Sequence, residues 1–383
     1  MYYGRGADEP SEKETAVSWN TLASENITNI RPYIPGKPVD ELGREMGWTD
    51  LHKVVKLASN ENPLGPSPAA MEAVRAALGN LHRYPESGAY YLRQRLAQIH
   101  GIAPERLIFG NGSNELLVVL GNAFLRPGLE LLASQHAFLV YSLVASMFGA
   151  EYVEIPAKDY GHDLDSMTDA ITERTRLICL ANPNNPTGTM FGRAAFARFL
   201  KRVPEHVVVV LDEAYSEYVD DPDYPDGLDY LDHHPHLVVT RTFSKIYGLA
   251  GLRIGYAVLA QEGALLLERV RQPFNVGNLA QVGALAALDD TAHLERSKRV
   301  NADGMKQVVR RLDEMGLSYI PSRGNFIMIE VGDGAAVCKA MLPHGVIGRP
   351  VANYGLPQFF RLTIGTEAEN ETALRVLGEV MNQ

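Results

Sequence analysis

The chain has 383 residues, of which 46% are hydrophobic and 21% charged, the balance of a globular protein too long for one ordinary core. A formal charge of −10 argues against a nucleic-acid partner, which needs a basic face to displace phosphate counterions. Cys179 and Cys338 are its two cysteines, too few for a disulfide framework, and they point to a reducing, cytoplasmic compartment.

The opening MYYGRGADEPSEKET lacks the cationic start and apolar stretch of a signal peptide, and residues 1–28 read as a loosely held polar tail. RPYIPGKPVDELGREMG, rich in proline and glycine, predicts an extended strap over residues 29–55 that packs with the C-terminal part. From Lys56 on, short apolar runs alternate with amphipathic helices. RLIFG, LELLAS, EYVEIPA, RLICLANP, HVVVVLDEAY and LVVTRTFS read as strands, with a helix from about Asn114 and another in AAFARFLKRV. That alternation predicts an α/β domain with a mostly parallel sheet covered on both faces, residues 56–274. The longest uncharged stretch, residues 131–150, is broken by Ser134, Gln135, His136 and Gly149, and fits a strand end and buried helix rather than a membrane span. A long helical region, then SYIPSRGNFIMIEV, an alanine-rich helix and FFRLTIG predict a smaller α+β domain over residues 275–383.

In open parallel sheets ligands gather beyond the carboxyl ends of the strands, and four stretches fall there. FGNGSNE closes a strand on two glycines and opens a helix at Ser113 and Asn114. Those side chains are placed to cap it, and a helix start suits a phosphate. A dinucleotide fingerprint is the rival reading, with Glu115 standing where the third glycine belongs. ANPNNPTGTM offers the amides of Asn182, Asn184 and Asn185, or forms a plain turn. VVVVLDEAYSEY delivers Asp212 to the tip of a buried strand, where a carboxylate needs a charged partner or a cap. TRTFSKIYGLAGLRIGY sets Lys245 among apolar neighbours with Arg253 eight residues on. A lysine so placed loses proton affinity, becomes a nucleophile and condenses with carbonyl compounds. A phosphate cradle, an amide, a buried carboxylate and such a lysine match the needs of pyridoxal 5′-phosphate.

Through KLASNENPLGPSP, RYPE, NPNNPTG, DEAYSEY, TFSKIYGLAGLRIGY, GVIGRPVANYG and FRLTIGT, the chain resembles the fold-type-I pyridoxal-phosphate aminotransferases, and among them the histidinol-phosphate aminotransferase family. The resemblance runs from about Arg31 to the C-terminus. It implies that Lys245 holds the cofactor and then serves as general base and acid, and that Asp212 pairs with the pyridine nitrogen. Tyr215 and Asn185 would meet the ring's phenolate oxygen, and Phe138 would stack on the ring. The phosphate would rest on Ser113, Asn114, Ser244 and Arg253. Tyr84 would reach a phosphate across a homodimer interface. Arg361 would clamp the α-carboxylate of glutamate, Arg349 would take the substrate's distal anion, and Asn60 and Tyr33 would line the substrate pocket. The implied reaction is a ping-pong exchange between L-histidinol phosphate and 2-oxoglutarate through pyridoxamine phosphate. An aromatic amino-acid aminotransferase or a threonine-phosphate decarboxylase of the same fold are rivals within the fold, and a non-enzymatic nucleotide-binding module is the rival outside it.

Three further features stand outside that site. DHHPH, residues 232–236, is a lone histidine cluster in a polar loop with no second cluster, and no metal is expected there. DDPDYPDG places Pro225 where a calcium loop needs an acid. His136 reads as a satisfied histidine beside the expected stacking ring rather than as a catalytic one.

Overall fold

The computed structural model describes residues 18–382, so most of the expected tail lies outside the described residues. Its last part is held down: Asn26 donates through Nδ2 to the carbonyl oxygens of Ser146 (3.0 Å) and Met147 (3.1 Å), at the end of the helix Val140–Met147.

Strand β1 (Val55–Lys56) precedes a seven-stranded sheet formed by β2 (Leu107–Gly110), β3 (Glu130–Ser134), β4 (Glu151–Ile155), β5 (Thr175–Ala181), β6 (Val208–Asp212), β7 (Leu237–Thr242) and β8 (Gly255–Val258). The spatial order is β2-β8-β7-β6-β5-β3-β4. β8 runs antiparallel to both of its neighbours, while β3 to β7 pair in parallel. The mostly parallel sheet expected from the alternating apolar runs is therefore present.

Period-two alternation decides which core each residue joins. Ile178, Leu180, Val209, Leu211 and Val239 face one buried cluster; Leu177, Cys179, Val210 and Val238 face the other. Helices cover both faces, as a parallel sheet requires. Each fully buried aliphatic side chain contributes about 1.5–3 kcal/mol, so the valine run of β6 pins the strand that ends on Asp212.

Four short strands make a second, antiparallel sheet: β9 (Tyr319–Ile320), β10 (Phe326–Glu330), β12 (Arg349–Pro350) and β13 (Phe359–Thr363), in the order β12-β13-β10-β9. Between them β11 (Val346–Ile347) pairs in parallel with β1. The helices Thr291–Met315 and Glu367–Met381 cover this sheet, and Val308, Leu312, Leu374 and Leu377 join its core.

Two expectations need correction. The strap is not extended throughout, since residues 39–46 form a helix. Pro38 sits at its N-cap, Asp40 and Glu41 meet the dipole of its first turn, and Gly47 ends it at φ +67, the left-handed stop that glycine accepts. The cut at residues 274/275 also falls too early. The helix Asn278–Asp289 places Ala280, Ala284 and Ala287 in the core of the large sheet, so the second core starts with the helix after Asp290. Asp290 breaks the helical region by accepting the His293 N–H at 3.1 Å.

Candidate active site

Strands β5, β6 and β7 end at Ala181, Asp212 and Thr242 on the same edge of the sheet. The loops beyond them meet residues 58–60, the start of the helix Ser113–Phe124, and the sheet edge carrying Arg349 and Arg361. One cleft results. It is lined by Ser113, Asn114, Phe138, Asn185, Asp212, Tyr215, Ser244, Lys245 and Arg253 from the large part, and by Tyr33, Asn60, Arg349 and Arg361 from the strap side and small sheet. Thirteen of the fourteen site residues expected from sequence thus share one space. Tyr84 does not: it is 84% exposed and stacks on Phe274 with ring centroids 4.9 Å apart.

Lys245 Nζ donates to the Ser59 carbonyl oxygen at 3.2 Å and lies 5.5 Å from the Tyr215 ring centroid. Burial, assisted by the nearby Arg361 cation, pulls its pKa down to about 8. Asp212 is buried at its strand tip. Its Oδ2 accepts from the Tyr141 hydroxyl and its Oδ1 from the Thr240 hydroxyl, each at 3.2 Å. Burial pushes the Asp212 carboxyl upward, against the pull of both hydroxyls, the Ala214 N–H and Lys245. A buried carboxylate held by two hydroxyls keeps lone pairs for a cationic partner in the cleft.

At the other end, the expected cap is not made by Ser113 or Asn114. Gly112 is the N-cap, at φ +81 and with no side-chain cap. The first amides of a helix have no partner within it, so Ser113 and Asn114 bring free donors to the cleft. Arg253 arches over them, donating to the Ala250 carbonyl at 3.0 Å and lying 3.4 Å from Ser244 Oγ. A Cβ on Gly112 would fall 2.6 Å from Arg253 Nη2, and one on Gly255 would fall 2.6 Å from the Ser113 nitrogen. Only glycine permits backbone, guanidinium and hydroxyls to converge this closely. The cradle, the amine and the carboxylate fit the anion, the aldehyde and the ring nitrogen of pyridoxal phosphate.

The substrate side is set by two arginines. Arg349 and Arg361 stand directly opposite one another in the pairing of β12 with β13, and only 7% and 6% of each is exposed. Arg361 donates to Asn185 Oδ1 and, at 2.9 Å, to the Ala58 carbonyl, and its Nε is buried without a partner. Arg349 donates to the Ile34 carbonyl at 2.8 Å and lies over the Tyr33 ring at 5.9 Å. Among the described residues neither forms an ion pair with a carboxylate, although like charges placed opposite in a sheet repel.

Sequence reasoning missed Tyr141 and Thr240. Tyr141 lies three residues beyond Phe138, whose carbonyl oxygen accepts the Tyr141 N–H at 3.0 Å, and the two rings meet edge to face. Thr240 faces Asp212 through strand register, which no local pattern reveals. His136 is satisfied as expected, with Nδ1 2.6 Å from the Tyr354 carbonyl oxygen. The acids of DDPDYPDG serve structure: Asp221 pairs with Arg323 and Asp226 with Arg241. Asp232 of DHHPH pairs with Arg106 at 2.6 Å.

Similar proteins of known family match most of the chain. A family profile for aminotransferase class I and II matches residues 52–377. Histidinol-phosphate aminotransferase 2 of Pseudomonas aeruginosa is 51% identical over 361 residues, covering 94% of this chain and 98% of the relative. Its namesake in Ralstonia nicotianae is 48% identical over 363 residues, covering 94% and 97%. The crystal structure of histidinol-phosphate aminotransferase from Sinorhizobium meliloti in complex with pyridoxal-5′-phosphate superposes with a TM-score of 0.85, at 27% identity and over 96% of this chain and 99% of that one. Aspartate aminotransferase from Thermus thermophilus shares the fold, with a TM-score of 0.80 at 21% identity over 94% and 99%. By sequence, fold and cleft together, this chain belongs to the class I and II aminotransferase family and groups within it with the histidinol-phosphate aminotransferases.

Proposed function

We propose that the protein exchanges an amino group between L-histidinol phosphate and 2-oxoglutarate, giving imidazole-acetol phosphate and L-glutamate, a step of histidine biosynthesis, with pyridoxal phosphate as cofactor. The observation that carries this reading is the facing pair Arg349 and Arg361, buried in one cleft with Lys245 and, among the described residues, without acidic partners. Two unpaired buried cations favour ligands that bring anions. A phosphate ester and a dicarboxylate both do so.

Lys245 would hold the cofactor through its aldehyde carbon. With a pKa near 8, about a tenth of the amine is uncharged at pH 7, enough to attack a carbonyl and later to carry a proton. Pyridoxal phosphate, when bound, supplies an electron sink for the charge left when the substrate loses its α-proton. Lys245 would take that α-proton from the substrate and return it, acting as general base and then general acid. Asp212, held by Tyr141 and Thr240, would keep the pyridine nitrogen protonated. Tyr215 and Asn185 would face the phenolate oxygen, Phe138 would cover the ring, and Ser113, Asn114, Ser244 and Arg253 would take the phosphate. Arg361 presents a planar fork for the carboxylate of glutamate. Arg349, with Tyr33 beside it, would take the distal anion of either substrate, and Asn60 completes the wall.

The exposed Tyr84, stacked on Phe274, supports a homodimer in which it reaches the phosphate of the neighbouring site. Unpaired, buried Cys179 and Cys338 support a reducing cytoplasm, and among the described residues no helix is long and apolar enough to cross a membrane.

A half-reaction panel tests the substrate. Loaded enzyme mixed with histidinol phosphate should lose the absorbance of its bound cofactor far faster than with phenylalanine or threonine phosphate. A clear win for phenylalanine, or carbon dioxide released from threonine phosphate, overturns the assignment.

A further inference from the structure

Asn60 stands where the strap meets the small sheet, 1% exposed and held at φ 55, the left-handed region in which asparagine is tolerated and branched residues are not. All of its polar groups are engaged. Its N–H donates to Thr363 Oγ1 at 2.9 Å, and its carbonyl oxygen accepts from Asn325 Nδ2 at 3.0 Å. The Thr363 hydroxyl already accepts from that N–H and lies 3.2 Å from Asn60 Oδ1, so its own proton points to Oδ1. This settles which end of the amide is which: the oxygen faces Thr363, and the NH2 group faces the Tyr215 hydroxyl at 2.9 Å. An amide nitrogen has no lone pair to offer. Tyr215 therefore accepts from Asn60 and must donate its proton in another direction, and the cleft holding Lys245 is where that direction leads.

We propose that Asn60 is a positioning residue that makes the Tyr215 hydroxyl a one-way donor into the cleft, toward the phenolate oxygen of the bound ring. The inference rests on the placement of Tyr215 given under Proposed function. It adds a reason for the left-handed backbone at position 60: in that conformation one residue binds Thr363 through its main chain and side chain while reaching Tyr215. It also ties Tyr215 to β13, the strand that carries Arg361 two residues before Thr363. Burial is the main influence on the phenol, raising its pKa to about 12, so the proton to be donated is present across the working pH range.

The test is the pH titration of the bound cofactor's absorbance in the loaded enzyme without amino substrate. It is therefore blind to which amine the enzyme prefers, and failure of the substrate assignment leaves it intact. A hydrogen bond donated to the phenolate oxygen stabilises its negative charge, so losing that bond lets the chromophore keep its proton to higher pH. Tyr215→Phe should raise the midpoint by about one pH unit, the scale of a hydrogen bond to a charged oxygen. Asn60→Gly, which accepts φ 55 without strain, should move it in the same direction. Asn60→Asp offers a carboxylate that captures the tyrosine proton, and should move it at least as far as Tyr215→Phe. On the Tyr215→Phe background, Asn60→Gly should add nothing. The proposal is overturned if Asn60→Gly leaves the midpoint at the parent value, whatever it does to thermal stability. An equal shift by Asn60→Gly with and without the Tyr215 hydroxyl overturns it too, since Asn60 would then act by another route.

Discussion

Replacing Tyr141 with Phe removes one oxygen and nothing else. Tyr141 is fully buried, and its hydroxyl is one of two that hold Asp212, at 3.2 Å from Oδ2. A hydrogen bond to a charged group is worth about 1.5–3 kcal/mol, and its loss from the ionised carboxyl raises the Asp212 pKa by about 1–2 units. The carboxyl is already pushed up by burial, so the change moves it toward the protonated form. A neutral acid no longer keeps a pyridine nitrogen charged. If the whole loss reaches the transition state, kcat falls about 10- to 100-fold. The fold should tolerate the change, because the ring keeps its packing and a buried hydroxyl has been removed rather than orphaned. The assay is steady-state kinetics with histidinol phosphate and 2-oxoglutarate, together with the pyridoxal phosphate dissociation constant and the urea midpoint. Lower kcat, KM for 2-oxoglutarate near the parent value and an unchanged urea midpoint are expected. A kcat within twofold of the parent refutes the reasoning, for Tyr141 would then not be tuning Asp212.

Other consequences are equally open to measurement. Because the Lys245 pKa is lowered to about 8, its uncharged form grows with pH and saturates above that value; the rate at which apoprotein captures pyridoxal phosphate should plateau there, and a rate still climbing toward pH 10 contradicts it. Gly248→Ala would set a Cβ 2.2 Å from the Gly65 carbonyl oxygen at φ +68, a backbone clash expected to cost more than about 3 kcal/mol; urea unfolding checks this, and a loss under about 0.5 kcal/mol refutes it. Tyr84→Ala and Lys245→Ala should each cripple the enzyme, while a 1:1 mixture of refolded chains should recover about a quarter of parental activity, since half the dimers are mixed and each has one intact site. No recovery in dimers shown to be mixed, or full activity of Tyr84→Ala alone, removes the cross-subunit role.

Much of the large sheet was legible because its strands are short apolar runs between amphipathic helices, and the sequence LVVTRT or VVVLD needs no partner to be recognised. β8 was harder to see. GYAV follows a glycine-rich turn within the lysine stretch, and it is flanked by β2 and β7 through pairings that local pattern does not encode. The helix Val39–Met46 was hidden by surrounding prolines, though Pro38 and Gly47 turned out to be its ends. In the site, side chains fixed by their own loop were readable: Lys245, Asp212, Ser113. Contacts between distant partners were not, although the family resemblance had named Asn60, Arg349 and Arg361 as site residues. Thr240 meets Asp212 through strand register, Asn60 meets Tyr215 across 155 residues, and Arg349 meets Arg361 only once β12 and β13 have paired.

Every proposed role in the cleft depends on the ε-nitrogen at position 245 carrying the cofactor. Borohydride reduction of the loaded enzyme, followed by proteolysis and mass spectrometry, fixes that link where it stands. A single pyridoxyl group on the peptide containing Lys245 is the predicted result. A label on another lysine, or none in fully loaded protein, contradicts it.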